Sequence, residues 1–234
     1  MTPRKRTLSV IIPVYNERQT LHQVLGLVEA VALPDDISKE IILIDDGSTD
    51  GSREILETLR QRYRVILHSG NKGKGAAVRS GFQEATGDFV IIQDADLELD
   101  PKDYCVLLEP ILRGTHDIVF GNRFHRALLR NSIHARGIRL ISFVSRLLNG
   151  INVQDCYVGY KLFRGDVLAR IAPKLKSTGF TIEAELTARS AGFRVCEVPI
   201  SYIPRPYSQG KKIRWWDGIR ALGAVVYYNL IDRS

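Results

Sequence analysis

Three acidic residues at alternate positions, Asp94, Asp96 and Glu98, follow a run of apolar residues, Phe89-Val90-Ile91-Ile92. Four consecutive apolar residues suit a strand buried on both faces. Alternate side chains of an extended segment point the same way, so the carboxylates that follow can converge on one point. Carboxylates held that close repel one another unless a positive charge sits between them, and such oxygen donors suit a hard divalent cation. Solvated loop acids also produce an Asp-x-Asp, so the reading depends on what surrounds it.

The surroundings alternate strand and helix from residue 8 to about 115. Leu8 to Pro13 reads as a strand, and Arg18 to Ala32 as a helix with apolar residues at Leu21, Leu25, Val28 and Ala32. Glu40 to Ile44 reads as a second strand, running into Asp45-Asp46-Gly47-Ser48-Thr49-Asp50-Gly51, with a helix from about Arg53 capped by Asp50 or Ser52. Arg64 to His68 leads into Gly70-Asn71-Lys72-Gly73-Lys74-Gly75 and a helix through Ala85. This alternation predicts an α/β fold with a doubly wound, mostly parallel sheet. Ligands of such sheets bind beyond the carboxyl ends of the strands. The loops at Tyr15-Asn16-Glu17, Asp45-Asp46, Asn71 to Gly75 and Asp94 to Asp96 would therefore share one edge.

An aromatic ring at Tyr15 can stack a base, and the Asp46 carboxylate can accept from base N–H or ribose hydroxyl groups, although Asp-Asp-Gly-Ser is also a common turn. The glycine-rich segment with Lys72 and Lys74 can cradle phosphates at a helix start, or serve as a plain flexible turn. Its spacing is not that of a P-loop. Arg123, after a predicted strand at Asp117 to Gly121, offers a bidentate donor for a diphosphate.

The second half is basic. From Arg123 to Asp155 there are six arginines, Arg123, Arg126, Arg130, Arg136, Arg139 and Arg146, and no acidic residue before Asp155. Ile138, Ile141, Val144 or Ser145, and Leu148 keep helical spacing, which predicts a basic amphipathic helix. Arg194 to Ile203 reads as an edge strand broken by Pro199. The tail joins Lys211, Lys212 and Arg214 to Trp215, Trp216 and an apolar stretch, so both basic regions suit helices lying on an anionic membrane.

The 234-residue chain fits a single domain, with a nucleotide-binding half at 8–115, an acceptor half at 116–210 and a basic amphipathic tail at 211–234. A net charge of +7 points to an anionic partner. Three scattered cysteines, Cys105, Cys156 and Cys196, fit a reducing compartment with no zinc site. The amino terminus lacks the pattern of a signal peptide, and no apolar run approaches the ~20 residues of a spanning helix. A cytoplasmic protein, peripheral to the membrane, is expected.

Taken in order, these pieces resemble the family 2 glycosyltransferases of the GT-A fold. Within them they are most similar to the polyprenyl-phosphate sugar synthases, the group that includes dolichol-phosphate mannose synthase. The matching segments are Val10 to Glu17, Ile44 to Gly51, Asn71 to Ala77, Asp94-Ala95-Asp96-Leu97, Gly121-Asn122-Arg123, Asp155 to Arg164 and Glu197 to Ile200. The resemblance implies that Pro13, Tyr15, Glu17 and Asp46 hold the nucleoside. It implies that Asp94, Asp96 and Glu98 bind Mg2+ or Mn2+, and that Arg123 meets the diphosphate or the acceptor phosphate. A second phosphate-binding arginine would be Arg136 or Arg139, and Arg205 to Lys211, with Ser208, would form the basic acceptor loop. Departures are Gly-Asn-Arg where Gly-Ser-Arg is common, and Glu98 where the family often has Gln or a second acid.

The implied reaction is inverting transfer of a hexose from GDP-mannose or UDP-glucose to a polyprenyl phosphate, with the membrane surface, and room for a membrane partner protein, on the acceptor side and no nucleic acid. A hydroxyl acceptor would instead require a general base, for which Glu183 and Glu185 are the candidates; Glu185 matches the position usually acidic in the lipid-phosphate enzymes. Rival readings are a soluble glycosyltransferase using such a base, a nucleotidyltransferase, an aspartyl phosphatase and a non-catalytic binding protein.

Overall fold

The computed structural model describes residues 5–125, 133–205 and 215–232. The chain opens with β1 (Arg6–Val14), α1 (Leu21–Ala30), β2 (Ile37–Asp45), α2 (Ser52–Thr58), β3 (Arg64–Leu67), α3 (Lys74–Glu84) and β4 (Phe89–Ile92). It continues with α4 (Tyr104–Leu112), β5 (Ile118–Asn122), α5 (Ile133–Asn149), β6 (Lys161–Arg164), α6 (Gly165–Ile171), α7 (Ile182–Arg189), β7 (Val195–Pro199) and α8 (Trp215–Val226). The strands predicted after residues 8, 40, 64, 89, 117 and 194 all form, with ends shifted by up to four residues. The second helix starts at Ser52 behind a left-handed Gly51; Asp50 accepts the Ser52 N–H instead of either residue capping by itself.

One sheet of seven strands runs in the order β3-β2-β1-β4-β6-β5-β7. The first four strands are parallel, β6 is antiparallel to both its neighbours, and β5 and β7 are parallel. β7 is the edge strand that Pro199 predicted. β1 and β4 lie in the middle of the sheet, and their apolar runs are buried because helices cover both faces. The strand order turns back between β1 and β4, which opens a crevice at their carboxyl ends. The loops carrying Tyr15 and Asp94 leave from those two ends.

Helices α5 and α8 pack against one another. The inward face of α5 is the predicted one, with Ile138, Ile141 and Ser145 buried. Its outer face also carries apolar residues: Leu140, Phe143 and Leu147 are 61%, 55% and 69% exposed. Ile219, Leu222, Val226 and Leu230 form an exposed stripe on α8 and the turn that extends it. Among the described residues no helix is long and apolar enough to cross a membrane.

Candidate active site

The carboxylate loop begins at Gln93, which is fully buried. The hydroxyls of Tyr104 and Tyr160 both donate to its Oε1, at 2.7 and 2.6 Å, and its amide nitrogen donates to the Asp94 carbonyl at 2.9 Å. A buried amide satisfied on both sides fixes the chain where Asp94 leaves the strand. Gly159 lies against the Asp94 carboxylate, and a Cβ there would stand 2.3 Å from Asp94 Oδ2, so any side chain would push that carboxylate aside. Leu97 adopts φ +61°, a strained setting for a branched side chain, and the Asp96 carboxylate supports the turn by accepting the Glu98 N–H at 3.1 Å.

The carboxylates do not share one cation. Asp94 Oδ1 pairs with Lys74 at 2.7 Å, and the same ammonium lies 3.0 Å from Glu183 Oε1. The other Glu183 oxygen pairs with Lys161, which is fully buried and also donates to the Val158 carbonyl at 2.6 Å. Burial opposes the Lys74 charge, yet Asp94 and Glu183 outweigh it and hold its pKa above the ordinary lysine value. Lys74 therefore joins the carboxylate loop to α7 instead of standing free for a phosphate. Asp96 Oδ2 meets Arg205 at 3.2 Å, and the same guanidinium nitrogen meets Glu17 Oε1 at 2.9 Å. The Glu98 carboxylate accepts the Arg205 backbone N–H at 2.9 Å and the Tyr202 hydroxyl at 3.2 Å. That contact, with burial, pushes Tyr202 up to about 12.

The loops after β2 and β3 meet through Asp46. Its carboxylate is buried and accepts the backbone N–H groups of Lys72 and Gly73 at 2.9 and 2.8 Å. His68 Nδ1 lies 2.9 Å from the same carboxylate, and His68 Nε2 lies 2.9 Å from the Ser80 hydroxyl. Asp46 thus clamps the glycine-rich loop. Gly73 takes φ +94° and would collide with the Thr178 carbonyl if it carried a Cβ. Lys72 itself is exposed, and Pro13 and Tyr15 are half-buried at and just beyond the end of β1.

Two further candidates have partners inside the fold. Arg123 is buried and forms a bidentate pair with the fully buried Asp155, both bonds at 2.7 Å. Its guanidinium also lies over the Tyr202 ring. Glu185, a candidate base, is fully buried and accepts the backbone N–H groups of Lys176 at 2.9 and 3.1 Å and Ser177 at 2.8 Å. It fixes the turn before α7 and is not brought to the carboxylate loop. Arg136, exposed, and Arg139, half-buried, sit on α5 outside these ion pairs. Ser208 and Lys211 lie outside the described residues. Asp155, Gly159 and Lys161 fall within the matched segment Asp155 to Arg164, and Gln93 directly precedes Asp94, but none of the four was given a role from the sequence.

Among the described residues no three His, Cys, Asp or Glu side chains form a group that could hold a metal ion. Asp94 and Asp96 remain, each with its side chain about a quarter exposed, at 23% and 25%. Two carboxylates are a fitting protein share for Mg2+ or Mn2+, because such ions commonly complete their shell with substrate phosphate oxygens and water. The Arg205 guanidinium against Asp96 and Glu17 shows that this end of the crevice draws positive charge.

Comparison with known proteins bears on this geometry. The family model for "Glycosyl transferase family 2" matches residues 9–172. Undecaprenyl-phosphate 4-deoxy-4-formamido-L-arabinose transferases of Pseudomonas aeruginosa strains LESB58 and UCBPP-PA14 are 33% identical over 211 residues, 87% of this chain. The chain spans 60% of the length of those relatives. Among solved structures, glucosyl-3-phosphoglycerate synthase from Mycobacterium tuberculosis with Mn2+, UDP and phosphoglyceric acid superposes with a TM-score of 0.72 at 19% identity, covering 97% of this chain and 79% of that one. The same enzyme with Mg2+ and UDP gives 0.68 at 19% identity, covering 96% and 79%. These structures share the GT-A fold.

Proposed function

The chain belongs to glycosyl transferase family 2, and from that premise we propose that it moves a sugar from a nucleotide-sugar donor to a polyprenyl phosphate, with inversion at the anomeric carbon. The observation that carries the acceptor assignment is the state of the two candidate bases. Glu183 is held between Lys74 and Lys161, and Glu185 is spent on backbone N–H groups. A hydroxyl nucleophile needs a base free to take its proton, whereas a phosphate monoester is already anionic at neutral pH. A phosphate acceptor suits a site whose acids are committed. The undecaprenyl-phosphate transferases that match most of the chain support the same class.

In this reading Pro13, Tyr15 and Glu17 receive the nucleoside at the crevice, with Asp46 acting through the glycine-rich loop it clamps. Exposed Lys72 offers charge to the diphosphate. Asp94 and Asp96 would hold Mg2+ or Mn2+, which when bound supplies charge neutralisation to the departing nucleoside diphosphate. Gln93 and Gly159 fix where those carboxylates stand. The exposed apolar stripes of α5 and α8, flanked by exposed Arg136 and Arg146, suit a membrane surface that presents the lipid acceptor.

The test is nucleoside diphosphate release from GDP-mannose and UDP-glucose with Mn2+, with and without a short-chain polyprenyl phosphate. Release that requires the lipid phosphate and vanishes in Asp96→Ala supports the reading. Equal turnover onto a hydroxyl acceptor without lipid sinks it.

A further inference from the structure

Asp96 has one carboxylate oxygen on the Glu98 N–H and the other on Arg205. The Arg205 side chain is only 16% exposed and bridges Asp96 to Glu17, whose second oxygen lies 2.9 Å from the Thr20 hydroxyl. The backbone beside it is fastened as well. Arg205 N–H donates to the Glu98 carboxylate, Ile203 N–H to the Glu98 carbonyl at 2.9 Å, and Leu99 pairs with Tyr202 as an isolated bridge. The guanidinium is thus delivered to Asp96 by a segment anchored on the carboxylate loop itself.

A cation coordinated to Asp96 Oδ2 competes with the guanidinium for that oxygen, and the two charges repel at ~3–4 Å in a partly dry site. We propose that Arg205 is the resident counter-ion of Asp96 and Glu17, and that a divalent cation on Asp96 binds in competition with it. Arg205 then sets metal affinity, and the metal-loaded site releases a bidentate donor next to where an anionic acceptor must arrive. Loading of the donor with its metal precedes productive binding of a phosphate acceptor for this reason. The inference rests on the proposed metal site at Asp94 and Asp96.

The experiment is Mn2+ titration followed by electron paramagnetic resonance, without sugar or lipid, on the wild-type protein and on Arg205→Gln, Arg205→Lys and Asp96→Asn. Arg205→Gln is expected to bind Mn2+ about three- to tenfold more tightly, the size of one half-screened charge, with Arg205→Lys close to wild type. Unchanged or weaker Mn2+ binding in an Arg205→Gln protein that melts like wild type overturns the competition. Arg205→Met carries the same expectation if the glutamine variant does not fold. Mn2+ binding that Asp96→Asn leaves intact overturns the metal site itself, which separates that failure from failure of the arginine's role.

Discussion

The crevice edge of the sheet and the outer face of α5 and α8 solve opposite problems. At the crevice, charges are packed close and answered from within the chain: Lys74 for Asp94, Lys161 for Glu183, Arg205 for Asp96, backbone N–H groups for Asp46 and Glu185. On the helical face, Leu140, Phe143, Leu147, Ile219 and Leu230 stand in solvent with nothing of the chain over them among the described residues. A paired polar network is preorganised before any ligand arrives. An apolar face of this size is complete only against something else. Under the proposed function the first region would serve chemistry and the second location, a contrast that can be broken experimentally at either end.

The largest effect is expected from Asp96→Ala, which should lower kcat by at least ~10²-fold, in line with loss of a principal charge-stabilising group, while a melting curve stays close to wild type. Next, Phe143→Glu with Leu147→Glu should weaken co-sedimentation with anionic vesicles about 10- to 100-fold, the equivalent of losing burial of one or two large apolar side chains. Turnover on a water-soluble short-chain acceptor should be unaffected; a matching fall in that assay would show that the face serves the fold instead. Glu185→Gln should cost roughly 1–3 kcal/mol in chemical denaturation, as expected for weakening a buried acceptor of backbone N–H groups, with kcat per folded molecule preserved. If kcat collapses instead, Glu185 is a base after all.

The smallest effect lies far from both regions. Hydrogen bonds from Arg194 hold Asp117 down to about 2, with Arg164 adding to them and partial burial opposing. A carboxylate depressed in the folded state stabilises it above its ordinary pKa of ~4, and that contribution is lost as pH falls through about 2. Wild-type stability should therefore decline between those pH values more steeply than that of Asp117→Asn, as read from thermal melts across the acid range.

Much of the architecture was legible because apolar runs and loop glycines are local signals. Phe89 to Ile92 could be little other than a buried strand, and Gly73 marks the close approach to Thr178 that excludes any side chain. The choice of partner for each charge was not legible. Asp94, Asp96, Glu98, Glu183 and Glu185 are chemically alike in sequence, and only the register of β6 and the position of α7 decide that Lys161 reaches Glu183 while Glu185 turns to Ser177. Arg123 read as a ligand donor because its bidentate partner, Asp155, lies 32 positions away. The apolar residues on the outer face of α5 were passed over for a related reason. Its arginines dominate the composition, yet they are spaced so that Leu140, Phe143 and Leu147 still share a side of the helix.

The antiparallel strand β6 has a consequence for the order of assembly. It alone connects β4 to β5 in the sheet, and it lies about 70 residues after β4 in the chain. Strands β1 to β4 can pair as soon as residue 92 has left the ribosome, but β5, although synthesised next, has no neighbour to join until residue 164 follows. During that interval β4 presents an open parallel edge, a ready template for another nascent chain. Strands β1 to β4 are thus early in biosynthesis, β5 to β7 are late, and the interval between them is when the edge of β4 is most exposed.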